Sequence, residues 1–268
     1  KLAQSRNPQL LFFASPWSPP AWMKTSGKLG TGRVKPECYP AFARYLLKYV
    51  QAYAAEGIPI HALTVQNEPQ HQDPAYPTTI WTAEAQRDFI RDHLGPLFAA
   101  QRVATLIWCW DHNWNQPRFP RTILSDPAAA RFVDGTGFHL YEGRVEAQSA
   151  LQREFPDKSV YFTEGSVFGP DGMLSLIDIL RHDARSYNGW VIMLDEHQRP
   201  NRGPHDATPT CVELLDDGTV RYNDDYYLQG QCMKYLRRDA VRVDSTAPRT
   251  AGFGHVAFLD PDGALTLV

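Results

Sequence analysis

The sequence predicts an α/β fold built on a parallel sheet and followed by a short β-rich tail. Three observations predict it. Strand-length apolar runs alternate with helix-spaced segments, two of those runs end directly in a glutamate, and the texture changes after Arg238. The 268 residues suffice for a full-sized core, and one α/β barrel domain typically needs about 250. Hydrophobic residues make up 43% and charged residues 21%, the balance of an ordinary globular protein. A net charge of −3 gives no support for nucleic-acid binding, which normally shows a basic patch. The longest apolar runs, such as Leu10–Ala14 and Ala104–Trp110, fall far short of the roughly 20 residues of a membrane span.

The elements follow in order. Leu10–Ala14 is a strand, followed by a Pro- and Gly-rich loop to Pro40. Phe42, Tyr45, Leu46, Tyr49, Val50 and Tyr53 then recur at the three-four spacing of a helix with one buried face. Pro40 suits its first turn and Gly57 is placed to end it. Ile60–Val65 is the next strand, and Thr82 is an N-cap for a helix reaching about Phe98. Thr105–Trp110 is a third strand. A helix through Ala128–Phe132 leads to the strand Thr136–Tyr141, and one around Val145–Phe155 leads to Val160–Thr163. A helix from Met173 to about Ser186 precedes the strand Gly189–Leu194, and Asp224–Leu236 is the last helix. Val241–Val243, His255–Leu259 and Leu265–Val268 read as tail strands, with a turn at Asp260-Pro261-Asp262-Gly263.

Six strand-then-helix units fit either a doubly wound open sheet or an eight-stranded barrel lacking two strands. No Gly-x-Gly-x-x-Gly follows any strand, which weighs against a nucleotide-dependent α/β enzyme. The four cysteines make no metal-type pair; Cys109 reads as a buried thiol, and a Cys211–Cys232 disulfide is the less favoured alternative to free thiols there. They leave the redox compartment open.

The chemistry sits at two strand ends. Ile60–Gln66 runs into Asn67-Glu68-Pro69, and Val160–Thr163 runs into Glu164-Gly165. In parallel α/β folds the catalytic face lies at the carboxyl ends of the strands. Glutamate is a poor strand residue, so its place there asks for a reason. The plain alternative is that each Glu forms a buried ion pair with an Arg. Two such carboxylates supply what glycosidic cleavage needs: one protonated to assist the leaving oxygen, the other ionised to attack the anomeric carbon. Trp, Tyr and Phe are plentiful at seven, twelve and thirteen, which suits sugar platforms as well as core packing. Asp111-His112 with His139 would be the donors of a metal site, but they lack the i, i+4 His spacing of a zinc helix and no Cys joins them.

Longer motifs carry a resemblance. Ala14-Ser15-Pro16-Trp17-Ser18-Pro19-Pro20-Ala21-Trp22-Met23-Lys24 resembles the third barrel strand and its loop in glycoside hydrolase family 30, which includes the glucosylceramidases. Thr64-Val65-Gln66-Asn67-Glu68-Pro69 is similar to the family's fourth strand, Gly137-Phe138-His139-Leu140-Tyr141 to its sixth, and Phe162-Thr163-Glu164-Gly165-Ser166 to its seventh. The resemblance implies a (β/α)8 TIM-type barrel, strands three to eight, over residues 1–237, and the beginning of an all-β sandwich over 238–268. It further implies retention of configuration through a covalent glycosyl-enzyme, with Glu68 as acid/base and Glu164 as nucleophile about 5 Å apart. No metal or organic cofactor is expected.

Other residues carry over one at a time. Asn67 matches a group that hydrogen-bonds the sugar, Trp17 and Trp190 match positions shaping the sugar pocket, and His139 and Tyr141 match groups near the nucleophile. Asp111 either binds a sugar hydroxyl or caps its loop.

Two departures from the family pattern stand out. The first two barrel strands, which usually supply a glycone-binding acid and an Arg, have no counterpart in the sequence. Met193-Leu194 does not reproduce the second Trp and Asn of many members, so the segment Asp195–His205, with Pro200–Pro204, is a candidate for that wall of the cleft. The expected substrate is a carbohydrate or glycolipid, either a glucosylceramide-like β-glucoside or a β-1,6-glucan. Xylan, or a binding protein that keeps the cleft without turnover, is the alternative.

Overall fold

The computed structural model describes residues 1–166, 169–201, 203, 210–246 and 252–268. Contacts divide the chain into two compact units, Lys1–Phe138 with Arg153–Ser159, and His139–Gln152 with Val160–Val268.

The first unit alternates helices and strands: α1 (Leu2–Arg6), β1 (Phe12–Ala14), α2 (Tyr39–Ala55), β2 (Ile60–Thr64), α3 (Ala83–Phe89), α4 (Gly95–Ala100), β3 (Leu106–Asn113), α5 (Arg118–Leu124), α6 (Pro127–Ala130) and β4 (Gly135–His139). Its strands lie side by side in chain order. β1 pairs β2 and β2 pairs β3 in parallel, with Ala14 opposite Leu63 and Leu63 opposite Ile107. That order requires a helical crossover between successive strands, as the alternating pattern implies.

Helix α2 starts with Pro40 in its first turn and ends before Gly57, whose φ of +78° is cheap only for glycine. Its buried face is Phe42, Ala43, Leu46, Leu47 and Val50. Tyr45 and Tyr53, expected on that face, are exposed, and Ala43 and Leu47 are buried on it. Thr82 caps α3, its hydroxyl accepting from the Ala85 amide at 3.1 Å. The helix continues through a π turn, Ile90–Leu94, into α4. Tyr39, Phe42, Trp81 and Phe89 form a ring-on-ring core there, with centroids 5.3 to 6.3 Å apart.

The second unit contains α7 (Glu146–Glu154) in large part, β5 (Ser159–Gly165), α8 (Gly169–Arg181), β6 (Ala184–Gly189), β7 (Met193–Asp195), β8 (Val212–Leu214), β9 (Val220–Tyr222), α9 (Asp224–Tyr235), β10 (Val241–Val243), β11 (Ala257–Leu259) and β12 (Leu265–Leu267). β5 and β6 pair in parallel, Phe162 opposite Tyr187 and Gly165 opposite Gly189.

The strand expected at Gly189–Leu194 therefore lies earlier, at Ala184–Gly189. Its sequence, Ala-Arg-Ser-Tyr-Asn-Gly, offers no apolar run to detect. The apolar run after it is displaced: Ile192 is exposed and Met193–Asp195 joins β8 and β9 in a separate three-stranded sheet. Of the Pro200–Pro204 segment, Arg202 and Pro204 lie outside the described residues, as does His205.

The tail strands β10, β11 and β12 form an antiparallel sheet with the expected turn, the Gly263 amide donating to the Asp260 carbonyl at 2.9 Å. The sheet does not stand alone. Val256 and Phe258 share an apolar cluster with Met173, Leu176 and Ile177 of α8 and Cys232 of α9. All four cysteines are free thiols, so no disulfide joins Cys211 to Cys232; burial pushes the Cys109 thiol up to about 12. Among the described residues, no helix is long and apolar enough to cross a membrane.

Candidate active site

In the first unit the carboxyl ends of β1, β2 and β3 converge. The Asn67 amide donates to the Pro16 carbonyl at 2.9 Å, and the Glu68 amide donates to the Asp111 carbonyl at 2.9 Å. Gln66, fully buried, donates through Nε2 to the carbonyls of Trp17 and Asn67, both at 2.8 Å. These bonds fix the loop that carries Glu68, whose side chain keeps 17% of its surface exposed. Glu68 has φ +48°, and Trp110 and Asp111 have φ +69° and +72°. Three non-glycine residues in the left-handed region within one strand-end cluster mark a backbone held in place by its surroundings.

Trp17, Asn67, Glu68 and Asp111 are thus brought together, though in different capacities. Asn67 is buried and the Trp17 ring packs against Tyr76 with centroids 5.5 Å apart. Asp111 lies within β3 and is only 1% exposed. Its Oδ2 accepts from the Ser15 hydroxyl and from Thr64 Oγ1 at 2.7 Å. Of the two roles read from the sequence, this favours the structural one: the carboxylate ties three strands together.

The second unit assembles the other candidates around β5. Glu164 keeps 13% of its side chain exposed, and the Tyr141 hydroxyl donates to its Oε1 at 2.9 Å. His139, fully buried, places Nδ1 at 4.0 Å from the same oxygen, and its ring meets that of Tyr141 edge-on. A Cβ on Gly165 would sit 2.5 Å from Leu140 Cδ2 and 2.6 Å from Phe162 Cζ. Glycine after the glutamate is therefore a packing requirement. The Trp190 amide donates to the Gly165 carbonyl at 2.8 Å, which holds the Trp190 backbone at the end of β5, with the residue 36% exposed.

Chemically, each unit presents one carboxylate at the carboxyl end of a parallel strand. Each carboxylate has an imidazole close by, His112 beside Glu68 and His139 beside Glu164. Sequence reasoning considered His112 only as a metal ligand. The structure puts its Nε2 at 3.7 Å from Glu68 Oε1. No signal marked it, because β3 is a continuous buried run from Ile107 to Asp111 rather than an alternating one, and His112 follows it as an ordinary strand-end residue. Ser15 and Thr64, the anchors of Asp111, gave no signal, because a hydroxyl at a strand end is ordinary.

Parallel strands joined by helical crossovers, with a glutamate at the carboxyl end of two of them, are the arrangement found in α/β barrel proteins. The comparisons with known proteins narrow this. Residues 1–179 match the family model described as the glycosyl hydrolase family 30 TIM-barrel domain. The chain belongs to glycosyl hydrolase family 30. It is 31% identical to an endo-1,6-beta-D-glucanase of Neurospora crassa over 94% of its own length and 56% of that protein. It is 31% identical to the lysosomal acid glucosylceramidase of Mus musculus, over 96% of its length and 55% of the relative. A solved endo-beta1,6-glucanase superposes with a TM-score of 0.91 at 29% identity, covering 98% of this chain and 64% of the other. The chain therefore spans little more than half the length of the curated relatives it matches.

Proposed function

We propose that the protein hydrolyses a β-linked glycoside with retention of configuration. Glu164 attacks the anomeric carbon while Glu68 gives its proton to the leaving oxygen, forming a glycosyl-enzyme ester and releasing the alcohol. Glu68, now ionised, takes a proton from water, and the water oxygen displaces Glu164. The observation that carries this reading is the Tyr141–Glu164 hydrogen bond. A hydroxyl donating to one carboxylate oxygen favours the ionised form and fixes which oxygen remains for attack.

The substrate class follows from the relatives: a β-glucoside, either β-1,6-glucan or a glucosylceramide-like glycolipid. Asn67, Trp17 and Trp190 line the sugar site in this reading, with His139 and Tyr141 supporting the nucleophile. We assign residues 1–237 to the barrel and 238–268 to the start of a β-sandwich.

An activated 2-fluoro-β-glucoside tests the scheme, because the fluorine slows release of the covalent intermediate. Intact-mass analysis and peptide mapping should find one adduct, on Glu164. An adduct on another residue, or none in the full-length protein, refutes the assignment for a glucose substrate.

A further inference from the structure

Beside the Glu68 loop lies a cleft of about 480 Å³, within the range of about 300–1,000 Å³ that holds a small molecule. Its floor is aromatic, from Trp81 and Phe119, and its polar lining includes Gln70 and Gln116. Two guanidinium groups, Arg33 and Arg118, also line it, against the single carboxylate of Glu84. Both arginines are exposed, and neither forms an ion pair among the described residues. Elsewhere on this surface arginines are paired: Arg87 and Arg91 hold Asp88 and Asp126, and Arg121 holds Glu154. A cleft whose two cations are left without carboxylate partners carries a positive field ready for an anion.

The cleft is anchored to the loop that bears the proposed acid. Gln70 lies two residues beyond Glu68, and the Trp81 amide donates to the Pro69 carbonyl at 2.7 Å. Arg33 is fixed to the same wall: it bridges Ile80, whose amide donates to the Gly32 carbonyl at 2.9 Å. Gln70 belongs both to the cleft and to the loop that carries Glu68, so a leaving portion that extends along this loop would reach the cleft.

We infer that this cleft binds an anionic group, a carboxylate or phosphate, carried by the leaving portion of the substrate. The inference rests on the glycosidase reading and deepens it. Guanidiniums favour such groups because their planar N–H forks match the oxygens of both. The flanking carboxamides and aromatic floor would hold the uncharged remainder.

The test compares 4-carboxyphenyl and 4-carbamoylphenyl β-D-glucosides, which differ in charge but hardly in shape. The ratio of their kcat/KM values is measured for the full-length protein and for the Arg33→Gln/Arg118→Gln double variant, so intrinsic leaving-group differences cancel. The expected result is a ratio favouring the carboxylate that falls about tenfold in the double variant. A ratio that does not move overturns the cleft assignment and leaves the glycosidase reading intact. If neither glucoside is cleaved, the glucosidase reading falls, and calorimetric titration with inorganic phosphate decides the cleft. Binding lost in the double variant supports it, and no binding to the unaltered protein overturns it.

Discussion

The Glu68 amide donates to the Asp111 carbonyl at 2.9 Å, and both residues have positive φ. The bond joins the loop after β2 to β3 at the point where each backbone leaves ordinary geometry. Residues held in the left-handed region cost of order 1–3 kcal/mol each unless the surroundings over-determine them. Here the over-determination comes from Asp111, whose carboxylate takes hydroxyls from β1's end and from β2.

Asp111→Ala should therefore act through structure. It leaves the Ser15 and Thr64 hydroxyls with each other in place of the carboxylate, at a cost of about 1–3 kcal/mol. We expect a lower Tm and a similar fractional loss of kcat on every glycoside tested. A variant with unchanged Tm and a raised KM alone would assign Asp111 to the sugar instead.

Replacing Glu68 separates acid catalysis from nucleophilic attack. Glu68→Gln should slow poor alkyl leaving groups by about 10²–10⁴-fold, while activated dinitrophenyl glycosides lose far less in the first step. Equal losses on both series would count against the acid role.

Tyr141→Phe removes the hydroxyl from Glu164 without changing ring volume. Hydrogen bonds to charged groups contribute about 1.5–3 kcal/mol, and less where solvent competes. Because Tyr141 is exposed, the lower end applies, and kcat should fall roughly tenfold. The rate of labelling by the 2-fluoro glycoside should fall in parallel; an unchanged labelling rate would show that the bond does not support the nucleophile.

Gly165→Ala is expected to destabilise the protein by about 2 kcal/mol, the usual cost of overpacking, since its Cβ would overlap Leu140 and Phe162. Chemical denaturation reads this directly. A compensating Leu140→Ala change should recover part of the loss, and failure to do so would locate the strain elsewhere.

Lys24 gives a pH signature. It is fully buried, its ammonium donates to Ser18 Oγ at 3.1 Å and to the carbonyls of Leu29 and Thr78, and among the described residues it has no carboxylate partner. Burial lowers its pKa from 10.5 to about 8. The unfolded chain thus binds the proton more tightly than the folded one, and between about pH 8 and 10.5 unfolding takes up a proton. Stability relative to Lys24→Met should rise with pH across that window. A difference that is flat or falls there would contradict the assignment.

Much of the site was legible because it is local. Glu68 and Glu164 follow apolar strand runs directly, and the helix stop at Gly57 and the N-cap at Thr82 are written in adjacent residues. The sequence by itself determined where the chemistry-bearing carboxylates fall and which tail segments, such as Val241–Val243, become strands. The tertiary structure decided what only strand register can. It sent Tyr45 and Tyr53 of α2 to the surface, and it drew β6 from a polar segment that pairs through its backbone rather than through an apolar pattern. It also joined Asp111 to Ser15, 96 positions away, and to Thr64, 47 away. The physical reason is the same in each case: a residue's own propensity reports its backbone and its burial, whereas a hydrogen-bond partner is set by which strands lie side by side and in what register.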